Sequence, residues 1–429
     1  MRGSRRSDAR GAIGVDPVVA RLVLKFGGTS VATVEHIARA ADVIARQREG
    51  GHEIVVAVSA MGDTTDRLVD LSSQISRRPA RREMDMLLSS GEQVTAALLA
   101  MTLLERGIDA VSLLGHQVPF TTNSTHGRAR IADVGHERLE LELGAGRIPV
   151  VAGFQGVDEH GEITTFGRGG SDTTAVALAA AIKADECRIL TDVDGVYTTD
   201  PRVVPEARRL ERVTFEEMLE MASLGSRVLQ IRAVKYAGKY NVPIRVLHMS
   251  GEGPGTLITF EEPDVESPVV SGIAFNREEA EITVTGVPDR PGAAAALLGP
   301  ISEAEIEVDM IVMNAPREGC VDLSFSIGRA DFDQAMEIVR EAAAGLGVGD
   351  VLGNDRAVKI SVVGVGMRSH AGVATRMFET LAREGINVRM VSTSEIKISV
   401  LVEEKYLELG VRSLHEAFGL ERTGNGSDQ

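Results

Sequence analysis

Apolar positions in the first 260 residues fall into short β-branched runs separated by stretches with helical spacing. The runs Leu22–Phe26, Ile54–Ser59, Ile148–Ala152, Arg188–Thr191 and Pro243–Leu247 predict strands. Apolar residues recurring every three or four positions predict helices over Val34–Arg48, Glu83–Arg106, Thr173–Lys183 and Phe215–Leu219, the last extending toward Tyr240. Strands alternating with helices make βαβ units and a mainly parallel sheet. In such a sheet, ligands gather beyond the C-terminal ends of the strands.

The pattern changes at an acidic, proline-bearing stretch, Glu261–Pro268. Beyond it lies an internal repeat. Glu281–Val287 is a strand followed by Asp289-Arg-Pro-Gly292, a helix, and Ile306–Val312. Val358–Gly364 is answered by Arg368-Ser-His-Ala-Gly372, a helix, and Ile386–Val391. Each copy has the order of a ferredoxin-like split βαβ module. Modules this small bury little surface alone, so they are expected to pack side by side or against a second chain.

A chain of 429 residues is expected to divide into about two to four domains. It is 43% hydrophobic but only 3% aromatic, with no Trp, so its cores should be aliphatic, as parallel α/β layers require. A net charge of −16 argues against nucleic acid or an anionic membrane as partner, and it obliges any anion site to build its own positive potential. Cys187 and Cys320 lie far apart, offer neither a metal cluster nor a disulfide framework, and suit buried apolar roles in a reducing compartment. No stretch approaches the ~20 apolar residues of a membrane span. Arg2, Arg5, Arg6 and Arg10 precede no apolar run, so residues 1–20 are expected to be a frayed tail rather than a secretory signal. The polar end, 422–429, is expected to be loose as well.

Val23-Leu-Lys-Phe-Gly-Gly-Thr-Ser30 carries a strand into two glycines and a helix start. Glycines let backbone N–H groups approach a phosphate, a helix N-terminus favours its charge, and Lys25 adds a cation. The spacing is not that of an ordinary P-loop. Ser59-Ala-Met-Gly-Asp-Thr-Thr-Asp66 follows the second strand; its hydroxyls suit either a ligand or a helix cap. Ser89-Ser-Gly-Glu-Gln93 lies inside a long helical pattern, where Gly91 costs about 1 kcal/mol. A break there would turn Glu92 into a cleft; a solvated surface glutamate is the alternative. Gly167-Arg-Gly-Gly-Ser-Asp-Thr-Thr174 is the strongest signal: three glycines, hydroxyls and an Asp at a helix start, with Arg168 as a planar fork for carboxylate or phosphate. In Thr191-Asp-Val-Asp-Gly-Val-Tyr-Thr-Thr-Asp-Pro-Arg202, Asp192 and Asp194 could hold Mg2+ through water, Tyr197 could lie against a purine and Arg202 could reach phosphate. A hydrogen-bonded hairpin accounts for Asp194 and Gly195 but not the whole run. Most of these loops follow parallel strands, so they should converge on one edge suited to several phosphate charges.

Lys25–Ser30, Ser59–Gly62, Ser90-Gly-Glu92, Arg168–Asp172 and Asp192–Arg202 together resemble the aspartate kinases of the amino acid kinase superfamily. The C-terminal repeat is similar to their paired ACT domains, including Ser392–Ser399, and the match runs from about residue 21 to 420 in the family's order. The resemblance implies an amino acid kinase fold, a mainly parallel sheet sandwiched by helices, followed by two ferredoxin-like ACT domains. It places the kinase domain at 21–260, a linker with the first strand of the second ACT module at 261–275, and the ACT modules at 276–350 and 351–421. The implied reaction is ATP + L-aspartate → ADP + 4-phospho-L-aspartate, the entry to lysine, threonine and methionine synthesis, with ATP and Mg2+ as cofactors.

By motif, Lys25 and Asp192 are the catalytic candidates. Lys25, Phe26, Gly27, Gly28, Ser30, Ser59, Thr191, Asp192, Tyr197, Arg202 and Arg227 fall to ATP. Thr65, Glu92, Arg168, Gly169, Gly170 and Ser171 fall to aspartate, Glu92 taking the ammonium and Arg168 a carboxylate, with Asp172 adjacent. No residue is assigned as a metal ligand. Arg227 stands where the family usually has Lys. Asp289, Asp309, Met313 and Asn314 fall to an effector, lysine or threonine or both. Met313-Asn-Ala-Pro316 and Cys320-Val-Asp322 depart from the family's effector-binding runs, losing an amide, a hydroxyl and two threonines. Strand Val269–Phe275 is expected to join the second module, making the first an insertion. A cytoplasmic homodimer or larger homo-oligomer through the ACT modules is implied. The alternatives are another amino acid kinase, for glutamate, N-acetylglutamate or UMP, or a non-catalytic ACT-based amino-acid sensor.

Overall fold

The computed structural model describes residues 19–224, 228–260, 270–367 and 372–421. Outside them lie the expected tails, the stretch Glu261–Pro268, residues 368–371 and Arg227. The chain forms two compact units: one runs to Leu190 and includes Met249–Gly251, and the other holds Thr191–His248 and the chain from Glu252 onward.

The first unit is built from β1 (Arg21–Phe26), α1 (Val34–Glu49), β2 (Glu53–Val58), α2 (Thr64–Ile75), α3 (Arg81–Glu105) and β3 (Ala110–Leu113). There follow β4 (Phe120–Thr122), β5 (Ile131–Val134), α4 (Glu137–Gly144), β6 (Ile148–Ala152), β7 (Gln155–Val157), β8 (Ile163–Thr165), α5 (Gly170–Ala181) and β9 (Glu186–Thr191). Five strands pair in parallel in the order β9-β1-β2-β6-β3. Buried on both faces, β1 and β2 are apolar beyond their first residues apart from Lys25, the sequence signature of central parallel strands. Leu22, Leu24, Phe26, Ile54, Val56 and Val58 pack with Ile37 and Ile44 of α1 and Leu99 and Leu103 of α3 in an aliphatic core. Helix α5 is buried from Gly170 through Ala179: Ala175 onward is wholly apolar, while Ser171, Asp172, Thr173 and Thr174 are polar residues buried at its start.

Three features depart from expectation. Helix α3 is unbroken, so Gly91 is not a hinge. A Cβ on Gly91 would stand 2.8 Å from the Cβ of Ala60, and the glycine lets α3 lie against the loop after β2. Strands β3, β4, β5, β7 and β8 have three or four residues each, too short for an alternating signal, and four of them form a second sheet, β5-β4-β7-β8. Helix α3 is also long and apolar enough, by length and composition, to cross a membrane. It lies over β3 and β6 as a core helix, with Asp85, Ser89, Glu92 and Thr95 on its buried face.

The second unit opens with β10 (Arg212–Thr214), α6 (Phe215–Ser223), α7 (Ile231–Tyr240), β11 (Ile244–His248) and β12 (Thr256–Thr259). The helical pattern from Phe215 is thus two helices. Thr214 and Glu217 cap α6 reciprocally, and Leu224 is its C-cap.

The repeat comprises β13 (Gly272–Pro288), α8 (Ala293–Glu303), β14 (Val308–Met313), β15 (Cys320–Gly328), α9 (Phe332–Ala344) and β16 (Val351–Val363). It closes with α10 (Val373–Arg383), β17 (Met390–Thr393), β18 (Lys397–Glu403) and α11 (Leu407–Ala417). Its six strands form an antiparallel sheet, β14-β15-β13-β16-β18-β17. The 17-residue β13 serves both modules. Gly272–Asn276 pairs with Val363–Lys359, while Ile282–Val284 pairs with Gly353–Val351. Two apolar cores result, one under α8 and α9 and one under α10 and α11. The second also takes in Val203, Val204 and Ala207, with Tyr197 packed against it.

Candidate active site

Lys25 sits one residue before the end of β1, paired in register with Ala57 of β2 and Ile189 of β9. The residue is 8% exposed, and its ammonium lies 2.5 Å from Oδ1 of Asp172 in the first turn of α5. That oxygen accepts no aligned hydrogen bond, so the contact is electrostatic. Asp172 is the group whose role the sequence left open, although its place behind a triple-glycine loop was a signal.

The loop after β1 differs in detail from a simple phosphate cradle. Gly27 N–H and Ser30 Oγ both donate to Leu190 O, at 3.2 and 3.1 Å, so these two groups close the loop onto β9. Residues Thr29–Val31 make a single 3-10 turn, and α1 begins only at Val34, capped by Thr33. A Cβ on Gly28 would approach Ala60 O to 3.1 Å, and Gly28 O accepts Gly62 N–H. Phe26 is fully buried; its carbonyl accepts the N–H of Ser59 at 3.1 Å. Ser59 and Thr65 are half-buried, the latter in the first turn of α2.

Glu92 is 4% exposed. Its Oε1 accepts Ala60 N–H at 3.1 Å, while Oε2 has no partner. Burial pushes its carboxyl up to about 7, partly opposed by the Ala60 N–H and the charge of Lys25. A buried acceptor oxygen left unpaired is a place for an incoming cation.

The loop between β8 and α5 has left-handed backbone at Gly167 and Gly169, with φ of 76° and 68°. A Cβ on Gly170 would strike the Phe154 ring at 2.7 Å. Arg168 is exposed and has no ion pair among the described residues. Ser171, like Asp172, is buried. Lys25, Glu92 and the Arg168 loop therefore all belong to the C-terminal ends of the first unit's strands, or to helices reaching them. A recess lined by Arg21, His136, Glu140 and Asp185 opens at the other end of β1. Arg21 there is paired with Glu140 at 2.6 Å and with Glu53 at 2.8 Å.

In the second unit, Thr191 Oγ1 donates to Asp192 Oδ1 at 3.0 Å, and Asp192 is exposed. Tyr197 OH donates to Asp194 at 2.9 Å, which raises the pKa of the half-buried phenol after burial itself. Arg202 pairs with Asp200 at 2.8 Å and is otherwise solvent-exposed. Thr198 is fully buried: its Oγ1 lies 2.9 Å from His415 Nε2 of α11, and its carbonyl accepts Ile273 N–H at 2.7 Å. Among the described residues, no three His, Cys, Asp or Glu form a metal-binding group.

Of the effector candidates, Asp289, Met313 and Asn314 are exposed. Asp309 is engaged by Lys359, whose buried ammonium also pairs with Glu279 at 2.5 Å. Burial alone would lower that lysine's pKa; the two carboxylates raise it.

Residues 20–248 match the amino acid kinase family, and residues 360–418 match an ACT domain. The chain is 60% identical over 404 residues to an aspartate kinase of Stutzerimonas stutzeri, covering 94% of this chain and 98% of the relative. An aspartokinase of Pseudomonas aeruginosa is 60% identical over 405 residues, with the same coverage. The solved structure of Escherichia coli aspartokinase III with aspartate and ADP superimposes with a TM-score of 0.76 at 26% identity, covering 92% of this chain and 99% of that one.

Proposed function

The chain belongs to the aspartokinase family, and from that premise we propose how its residues divide the transfer of the γ-phosphoryl group of ATP to the β-carboxylate of L-aspartate. The product is 4-phospho-L-aspartate, on the route to lysine, threonine and methionine. The acceptor carboxylate is already ionised near neutral pH, so no protein base is needed. What remains is in-line positioning and neutralisation of the phosphoryl oxygens.

Lys25 neutralises the transferring group, and Asp172 anchors its ammonium. Gly27 and Gly28 let the β1 loop approach the phosphates, and Ser30 holds that loop in shape. Glu92 takes the substrate ammonium on its unpaired oxygen. Arg168 takes a carboxylate, with Gly169, Gly170 and Ser171 forming the pocket wall and Ser59 and Thr65 lining it. Thr191, Asp192, Tyr197, Arg202 and Arg227 serve the nucleotide. Mg2+ fits this donor set as an ion held by phosphates and water, with exposed Asp192 as its protein partner. Bound there, it would neutralise phosphate charge. The observation that carries the assignment is the unpaired Glu92 Oε2 beside the Lys25–Asp172 pair.

ACT modules make the enzyme a candidate for feedback control. An E. coli aspartokinase III structure holds lysine and aspartate, which supports lysine as effector here, with threonine as the alternative. We place the enzyme in the cytoplasm as a homo-oligomer assembled through its ACT modules. The test is ADP release with aspartate, glutamate or no acceptor, titrated with lysine and threonine alone and paired. Release that depends on aspartate supports the reading, whereas equal release with glutamate or without acceptor refutes it.

A further inference from the structure

Asp85 has no place in the assignment above, yet its carboxylate is held by three partners. It is fully buried on α3. Its Oδ1 accepts the hydroxyl of Thr165 at 2.5 Å, both oxygens accept Gly127 N–H at 3.0 Å, and Oδ2 meets His126 Nδ1 at 2.8 Å. Thr165 ends β8, three residues before Arg168. Its carbonyl accepts Ala129 N–H, and a Cβ on Gly167 would press on Gly127 O at 3.1 Å. Segment 126–129 and the root of the Arg168 loop are thus one packed piece, and Asp85 is its fastening to α3.

The same helix face continues toward the proposed ammonium site. Positions 85, 89 and 92 follow the i, i+4, i+7 spacing that stacks side chains along one face. Ser89 O accepts Gln155 Nε2 at 3.0 Å, tying α3 to β7, and Glu92 Oε1 holds the loop after β2. One unbroken helix therefore carries the acceptor of the substrate ammonium and, two turns earlier, the anchor of the loop that offers its carboxylate partner.

We propose that Asp85 is a positioning residue for the acceptor amino acid: through Thr165 and Gly127 it fixes the Arg168 loop relative to Glu92, and so sets the length of acidic amino acid the site accepts. This rests on the proposed roles of Glu92 and Arg168. A carboxylate bridging a backbone N–H, a hydroxyl and an imidazole holds all three, whereas a carboxamide of the same shape cannot accept on both sides.

The experiment compares wild type with Asp85→Asn, Thr165→Val and Thr165→Ser. It measures kcat, KM for aspartate, KM for ATP, and the aspartate-to-glutamate ratio of kcat/KM. The proposal expects Asp85→Asn to raise KM for aspartate about tenfold and to erode discrimination against glutamate, with kcat and KM for ATP within about twofold. Thr165→Val should move the same way, and Thr165→Ser, which keeps the hydroxyl, should restore wild-type values. If Asp85→Asn does not fold, the two Thr165 variants decide alone. Unchanged KM for aspartate in soluble variants, or an equal rise in KM for ATP, overturns the proposal while leaving the aspartate kinase reading intact. A wild-type chain without aspartate-dependent turnover overturns both.

Discussion

The ammonium of Lys25 and the carboxylate of Asp172 stand 2.5 Å apart, both almost excluded from solvent, one on the penultimate residue of a central strand and the other in the first turn of a helix. The pair joins the two glycine loops whose sequences first pointed to phosphate. A lysine held this way presents a fixed charge rather than a mobile one, which is what a developing transition state can use. Asp172→Asn should leave the fold intact and lower kcat by about 10- to 100-fold, because the ammonium loses its anchor. Steady-state kinetics with saturating ATP and aspartate checks this.

Glu92 supplies a pH signature. Its carboxyl is pushed up to about 7 by burial, so its ionised fraction grows as pH rises through that value. The substrate ammonium binds the ionised form. KM for aspartate should therefore fall from about pH 6 to about pH 8, where the carboxylates of aspartate are already ionised. In Glu92→Gln the profile should be flat over that range, with KM raised throughout.

Gly91 permits the approach of α3 to the loop that Glu92 holds. Replacement by Ala gains about 1 kcal/mol in helix propensity but forces a Cβ contact of 2.8 Å against Ala60, and overpacking costs about 1–3 kcal/mol. The contact should win. Thermal unfolding of Gly91→Ala is expected to fall by about 2–4 °C, with a rise in KM for aspartate as Ala60 N–H shifts off Glu92.

His415 tests the seat of the Thr198 segment on α11. Burial holds its imidazole below the ordinary histidine pKa, so the folded chain keeps it neutral while the unfolded chain protonates first. Its stabilising contribution is present above about pH 6.5 and is lost as pH falls below that value. Replacement by Leu leaves the buried Thr198 hydroxyl without this partner and should cost about 1–3 kcal/mol near neutral pH. The gap between wild type and variant should narrow from about pH 7 to about pH 5 in urea unfolding.

What the sequence disclosed followed from the strength of each local signal. Strands such as Leu22–Phe26 and Ile148–Ala152 are apolar runs, broken in the first only by Lys25, because they are buried on both faces, so their bounds were legible within a residue or two. The β4, β5, β7 and β8 strands, short and rich in Thr, carry no such pattern, and their sheet was invisible. Gly91 was legible as unusual but not as a packing contact, since its reason, Ala60, lies thirty-one residues away. Asp85 carried no motif at all: its partners His126, Gly127 and Thr165 come from segments that only the folded chain assembles. Ser30 shows the converse, a motif residue whose hydroxyl turns inward to Leu190 O instead of outward.

The most direct measurement is aspartate-dependent ADP release by Lys25→Met, a variant close in length that lacks only the charge. A single charged donor to the phosphoryl group supplies about 3–4 kcal/mol of transition-state stabilisation, so kcat should fall by about 10²–10³ while KM for aspartate, held by Glu92 and Arg168, changes by less than about threefold. A Lys25→Met enzyme that keeps wild-type kcat would contradict the placement of phosphoryl transfer at this rim.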